Sequence, residues 1–220
     1  MKANSSSSSR FKSYDYVKRK ENEKINSILH GTLSALAEKG YANTTMEHIA
    51  RASNVSRGLL HYYFESKEDL IIQAVSLGSG NLINTAVRRL SHASSTEHLV
   101  DILIEVLKQT AEQRPRITAL LLEMWGESRR SAKLRNAFEA GFRETIEKLS
   151  AFLAHYVSVN SNLIGSRSVE MTSRILLGLY LGLLIQLISQ PDLLNDKQFQ
   201  GALRSLVVHA LRDDPAHWGD

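Results

Sequence analysis

Between Arg57 and Lys67 the chain gathers side chains suited to a polyanion: Arg57, His61, Tyr62, Tyr63 and Lys67. An arginine presents a planar fork of donors that fits a guanine edge or a phosphate. Phenols and imidazoles donate to phosphate oxygens. A lysine in the first turn of a helix adds its charge to free backbone N–H groups, a combination that holds a phosphate.

The local sequence supplies elements to position this set. Thr44 and Glu47 form a T-x-x-E capping box, which starts a short helix with its first N–H groups satisfied. Met46, Ile49 and Ala50 give that helix one apolar face. It is expected to stop around Ser53 and Asn54, because Asn tolerates the left-handed backbone of a tight turn, and Ser56 caps a second helix. Val55 plugs the turn from the core side. The second helix, from Arg57 to about Tyr63, turns Leu59 or Leu60 and Phe64 inward. Arg57, Gly58, His61, Tyr62 and Tyr63 are left to face out; of the two tyrosines one can be core, and Tyr62 is the one expected outside. Ser66 with Asp69 caps a third helix that carries Lys67 in its first turn. Two short helices and a tight turn in this order are a helix-turn-helix, whose second helix enters the major groove of DNA.

Thr45, Ile49, Ala50, Val55, Ser56, Gly58, Leu60, Tyr63, Phe64, Ser66, Lys67 and Leu70 fall in register with one pattern, and over residues 20–75 the chain resembles the N-terminal domain of the TetR family of bacterial transcriptional regulators. It departs from the pattern at Asn54, where the family usually has Gly, and at His61, where it usually has Tyr. The resemblance implies that Arg57, Gly58, Leu59 and Tyr62 face bases and that Thr45, His61, Tyr63 and Lys67 hold phosphates, with Ser56 completing the DNA-binding set. Arg57 forking to guanine and Leu59 meeting a thymine methyl suit those roles.

Composition is compatible with this. The 220 residues suffice to bury a core. The absence of cysteine excludes structural disulfides and thiolate zinc sites and suits a reducing cytoplasm. No apolar stretch follows the polar serine run at the N-terminus, so no signal peptide is expected. The formal charge of +4 is uneven: residues 1–20 carry six Lys/Arg against one Asp, whereas residues 71–220 carry sixteen against fifteen acids. The division expected is a disordered basic, Ser-rich arm over residues 1–15, the DNA-binding domain over 16–70, and a ligand-binding and dimerisation domain over 71–220. The arm is either a solvated tail or a contact to the DNA backbone.

Past Leu70 the apolar spacing is helical throughout, and the fold expected is all-α. Helices are predicted from Ser66 toward Leu90, from Thr96 to Glu112, from Pro115 to a frayed end near Gly126, from Ala132 to about Val157, and from about Lys197 to Leu211, with a break in the NSNLIGS stretch. Between Ile175 and Ile188 no residue is charged. That run is too short for a bilayer, which needs about 20 residues, and a helix apolar all round must be covered on all sides. One face packs on its own chain; the other calls for a partner. The expected homodimer interface is therefore Ile175, Gly178, Leu181, Gly182, Leu184, Ile185 and Ile188, with Phe199, Leu203, Leu206, Val207 and Ala210 from the last helix, in a four-helix bundle. The other possibility is that these helices close a monomeric core. Dimerisation through the last two long helices is also what the family resemblance implies, and a twofold dimer calls for a palindromic operator in double-stranded DNA.

The resemblance further implies a small-molecule effector enclosed by the intervening helices. Met124, Trp125, Phe138, Phe142 and Tyr180 would line its pocket, with Glu123 and Gln186 as polar anchors, although each also reads as a core residue. A Glu123 pointing inward beside Trp125 would favour a cationic ligand. Catalysis is not expected: the chain has no G-x-S-x-G, no G-x-x-x-x-G-K-[ST] and no H-E-x-x-H, its eight histidines are scattered, and no metal or cofactor is called for. A ligand-released repressor and a DNA-binding dimer without an effector, governed by a protein partner or by occupancy alone, share the same reading helix. No membrane partner is expected.

Overall fold

A computed structural model describes the backbone of residues 6–113, 115–159 and 169–211, and the side chains of those residues outside 6–18 and 113–117. Among the described residues the fold is all-α, with no strand. The helices are α1 (Ser6–Asn43), α2 (Met46–Ala52), α3 (Arg57–Tyr63), α4 (Lys67–Leu90), α5 (Thr96–Gln113), α6 (Pro115–Ser128), α7 (Ala132–Val159), α8 (Val169–Ser189) and α9 (Lys197–Leu211), with a short 3-10 helix at Pro191–Asn195 before the last. The expected break at 160–166 lies outside the described residues.

Two expectations about the first helices need correction. α1 reaches back to Ser6, into the arm expected to be disordered over residues 1–15. No glycine or proline occurs before Gly31, so nothing there interrupts a helix. The helix is broken only at Gly40, which has a φ of 74°. Glycine adopts that conformation at little cost. The capping box is also displaced by one residue from Thr44 and Glu47. Thr45, in extended conformation, is the N-cap of α2; its hydroxyl accepts the His48 N–H at 3.2 Å, and His48 Nδ1 takes the Thr45 N–H at 3.4 Å. Thr44 is fully buried and donates its hydroxyl to the Gly40 carbonyl at 2.6 Å. With threonines at both positions, the one facing the core is consumed there and the exposed one caps.

The chain forms two compact units that divide at Gly78 and Ser79, within α4. In the first, Ile28 of α1, Ile49 of α2, Leu60 of α3, Phe64 after it and Leu70 of α4 make a dry core. Each such side chain contributes about 1.5–3 kcal/mol when fully buried. Val55 packs against this core from the turn. In the second unit, Leu99, Val100, Val106 and Leu107 of α5 meet Phe152 and Leu153 of α7, Leu183, Leu184 and Leu187 of α8, and Leu203 and Val207 of α9. α6 runs through Gly126 to Ser128 rather than fraying.

α8 has 21 residues, more than its uncharged central run, and by length and apolar content it would pass for a membrane span, as would α4. Its inner face is nevertheless taken up by the core just described, and its first turn carries a Glu170–Arg174 ion pair at 2.7 Å.

Candidate nucleic-acid interface and ligand groove

The turn before α3 is closed by backbone bonds: the Ser53 N–H donates to the Ile49 carbonyl at 2.9 Å and the Val55 N–H to the Ala50 carbonyl at 3.0 Å. Between them Asn54 takes a φ of 52°. This is the left-handed conformation, which asparagine accepts more readily than most residues. The Ser56 hydroxyl then accepts the Leu59 N–H at 3.2 Å and starts α3. It is the cap that the sequence calls for.

α3 is held from one side only. Leu60 and Phe64 are buried, whereas Arg57, Gly58, His61 and Tyr62 are exposed, Tyr62 to 76%. Leu59 is half-buried at the edge of that face. Tyr63 is half-buried against the core, and its ring meets that of Tyr62 edge-on with centroids 4.9 Å apart. That contact braces the exposed phenol. Thr45 is exposed at the start of α2. Ser66 accepts the Asp69 N–H at 3.1 Å, the cap expected for α4. Lys67 folds back: its ammonium donates to the Thr44 carbonyl at 3.0 Å and lies 5.5 Å from the centroid of the Tyr41 ring. A cation over a ring face is attracted by the ring's quadrupole. An ammonium has three protons, so two remain for other acceptors.

The expected ligand residues do not gather in one place. Met124 is buried, Glu123 and Gln186 are on the surface, and Tyr180 belongs to the contact between α5 and α8, where its hydroxyl donates to Thr110 Oγ1 at 3.0 Å. Trp125, Phe138 and Phe142 do come together. They line a groove of about 470 Å³ with Ser128, Arg129, Arg135 and Glu139. Trp125 and Ser128 come from the last turn of α6 and Arg129 from the turn that follows it; Arg135, Phe138, Glu139 and Phe142 follow the i, i+3, i+4, i+7 spacing of one face of α7. Ser131 caps α7 by accepting the Leu134 N–H at 3.2 Å. The Ser128 hydroxyl is spent on the Trp125 carbonyl at 2.6 Å. Sequence reasoning missed Arg129, Arg135 and Glu139, although their helical spacing to the aromatic residues was a usable signal. Glu139 lines the groove, and Glu123, the acid expected as a polar anchor, does not.

The expected dimer residues divide as well. Ile175, Gly178, Gly182, Ile185 and Ile188 lie exposed along one strip of α8 together with Met171, and Leu206 is exposed on α9. A Cβ at Gly178 or Gly182 would meet nothing within 4 Å. Leu181, Phe199 and Ala210 are half-buried. Leu184, Leu203 and Val207 are core residues of their own chain and are not available to a partner.

Two family models match: that for bacterial regulatory proteins of the tetR family over residues 28–74, and that for the tetracyclin repressor-like C-terminal domain over residues 94–213. The HTH-type transcriptional regulator BetI of Rhizobium meliloti is 32% identical over 108 residues, 49% of this chain and 53% of the relative, so the match spans about half of that protein. The HTH-type transcriptional regulator UidR of Escherichia coli is 27% identical over 180 residues, 82% of this chain and 89% of the relative. Among solved structures, Salmonella enterica GusR superposes with a TM-score of 0.70 at 25% identity, covering 86% of this chain and 95% of that one.

Proposed function

This chain belongs to the TetR family of bacterial DNA-binding transcriptional regulators, and from that membership we propose that it is a homodimeric repressor, acting in the cytoplasm, that binds a palindromic operator and leaves it when a small molecule binds. In this reading residues 16–70 read DNA and residues 71–220 carry the effector site and the dimer face. The observation that carries it is the one-sided burial of α3. A helix whose inner face is fully dry and whose outer face presents Arg57, Gly58, His61 and Tyr62 is built to enter a groove. Arg57 and Tyr62, with Gly58 and Leu59, would address base edges; Thr45, His61, Tyr63 and Lys67 would hold the flanking phosphates.

The dimer rests on the uncovered strip of α8 from Met171 to Ile188, with Leu206 also exposed on α9. Large apolar side chains left exposed on one helix mark an interaction site. A C2 interface uses the same patch on both subunits, and the resulting twofold axis would be mirrored in the operator. Among the described residues no group of three or more His, Asp and Glu is placed to hold a metal ion.

Selection of duplexes from a random pool tests the reading. Enrichment of an inverted repeat with half-sites about one helical turn apart, or a multiple of it, is expected. A pool without any enriched repeat would contradict it. A thermal-shift screen of metabolites then tests release: a compound that raises the melting temperature with concentration and lowers operator affinity establishes the repressor, and its absence favours a dimer without an effector.

A further inference from the structure

We propose that the groove between α6 and α7 binds a small organic anion with a planar apolar body, its carboxylate, sulfonate or phosphate held by Arg129 and Arg135 and its body lying against Trp125, Phe138 and Phe142. This rests on the reading of the C-terminal unit as the effector-binding part and names the chemical class it takes.

Three observations carry it. The first is apolar surface left uncovered in a concave place: Trp125 is 60% exposed and Phe142 39%, both facing one groove, with the Phe138 ring 6.2 Å from that of Phe142. A volume of about 470 Å³ is that of a small-molecule site. Such sites span roughly 300–1,000 Å³. The second is charge. Arg129 and Arg135 bring two cations to the lining against one acid, Glu139, and the surplus is positive. At the same turn Arg130 is neutralised by Glu127 at 3.3 Å, whereas among the described residues Arg129 and Arg135 have no such carboxylate partner. The third is chemistry: a guanidinium both forks to an oxyanion and stacks on aromatic faces, so cation and ring on adjoining helical turns can grip one amphipathic molecule. Glu139 would accept from a hydroxyl or amine on the same ligand. The cationic ligand expected from Glu123 does not fit this lining.

The probe pair that tests this is 8-anilinonaphthalene-1-sulfonate and its uncharged counterpart N-phenyl-1-naphthylamine, titrated against the full chain without DNA. The sulfonate should bind one site per chain, with energy transfer from tryptophan that falls sharply in Trp125→Phe and persists in Trp218→Phe. Arg129→Gln with Arg135→Gln should weaken the sulfonate by about tenfold or more, the loss of at least one charge-assisted bond, and change the uncharged probe by less than about twofold. Trp125→Ala should weaken both. All these positions are exposed or line the open groove, and an unchanged melting temperature shows the variants folded. Equal binding of the sulfonate to wild type and the double arginine variant would overturn the proposal, as would loss of the sulfonate site in Ile185→Arg, which would place it on the α8 strip. Operator affinity measured in parallel separates the two claims: groove binding without release of DNA upholds the anion site and contradicts ligand release, whereas release by some other compound with no groove binding does the reverse.

Discussion

The ammonium of Lys67 donates to the backbone carbonyl of Thr44 at 3.0 Å, which ties the first turn of α4 to the corner between α1 and α2. The residue implied as a phosphate contact is therefore also a fastener inside the DNA-reading unit. Lys67→Ala should have two effects. Removing the charged partner of the carbonyl of buried Thr44 should lower stability by about 1–3 kcal/mol, read from chemical denaturation. Losing one phosphate contact should lower the slope of log affinity against log salt by about one, on any DNA sequence. An unchanged slope with lowered stability would leave Lys67 only the internal role.

Gly31 of α1 crosses Ser53 at the end of α2 so closely that a Cβ on Gly31 would lie 2.7 Å from Ser53 Cα. Backbone cannot yield as the tip of a side chain can, so Gly31→Ala should cost about 1–3 kcal/mol or more and lower operator affinity with it. Gly80, in α4, is the contrast: a Cβ there meets nothing within 4 Å. Gly80→Ala should stabilise by about 0.5–1 kcal/mol. Melting temperatures of the two variants should move in opposite directions.

Asn54 is the only non-glycine described residue with positive φ. Asn54→Gly should be close to neutral, whereas Asn54→Val, with a branched Cβ in the left-handed region, should cost about 1–2 kcal/mol. The two variants leave the surface of α3 untouched, so any difference between them in DNA binding should follow their difference in stability, measured by denaturation.

On α8 the buried and exposed faces allow a sharp comparison. Ile185→Arg or Ile188→Arg should remain folded, sediment as a monomer and lose operator binding. Leu184, one residue from Ile185, is only 5% exposed. Leu184→Arg should therefore disrupt the C-terminal core itself, visible as lost helical circular dichroism. An Ile185→Arg chain that still sediments as a dimer would move the interface off this strip.

Much of the reading unit was legible because polar punctuation there is specific. Ser56 and Ser66 cap where expected, Asn54 turns where expected, and Tyr62 stands outside. The capping box slipped by one residue because the sequence pattern pairs Thr44 with Glu47, whereas Thr44 is buried and Thr45 caps α2 with His48, a partner that the T-x-x-E pattern does not include. α8 was legible as an apolar helix but not in its phase: with no charge between Ile175 and Ile188, nothing in the sequence marks Leu184 as inner and Ile185 as outer. The groove failed for a different reason. Its rings, taken singly, read as core rather than pocket, while its arginines, sitting among many surface charges, gain meaning only when α6 and α7 are set side by side.

The central claim is that the exposed face of α3 reads bases, and the most direct measurement is the affinity of wild type and Arg57→Ala for a selected operator and for an unrelated duplex at matched salt. Arg57→Ala should lose about 1–3 kcal/mol on the operator and bind the unrelated duplex nearly as the wild type does, so that specificity falls more than affinity. Equal loss on both duplexes, or no loss on either, would contradict the account.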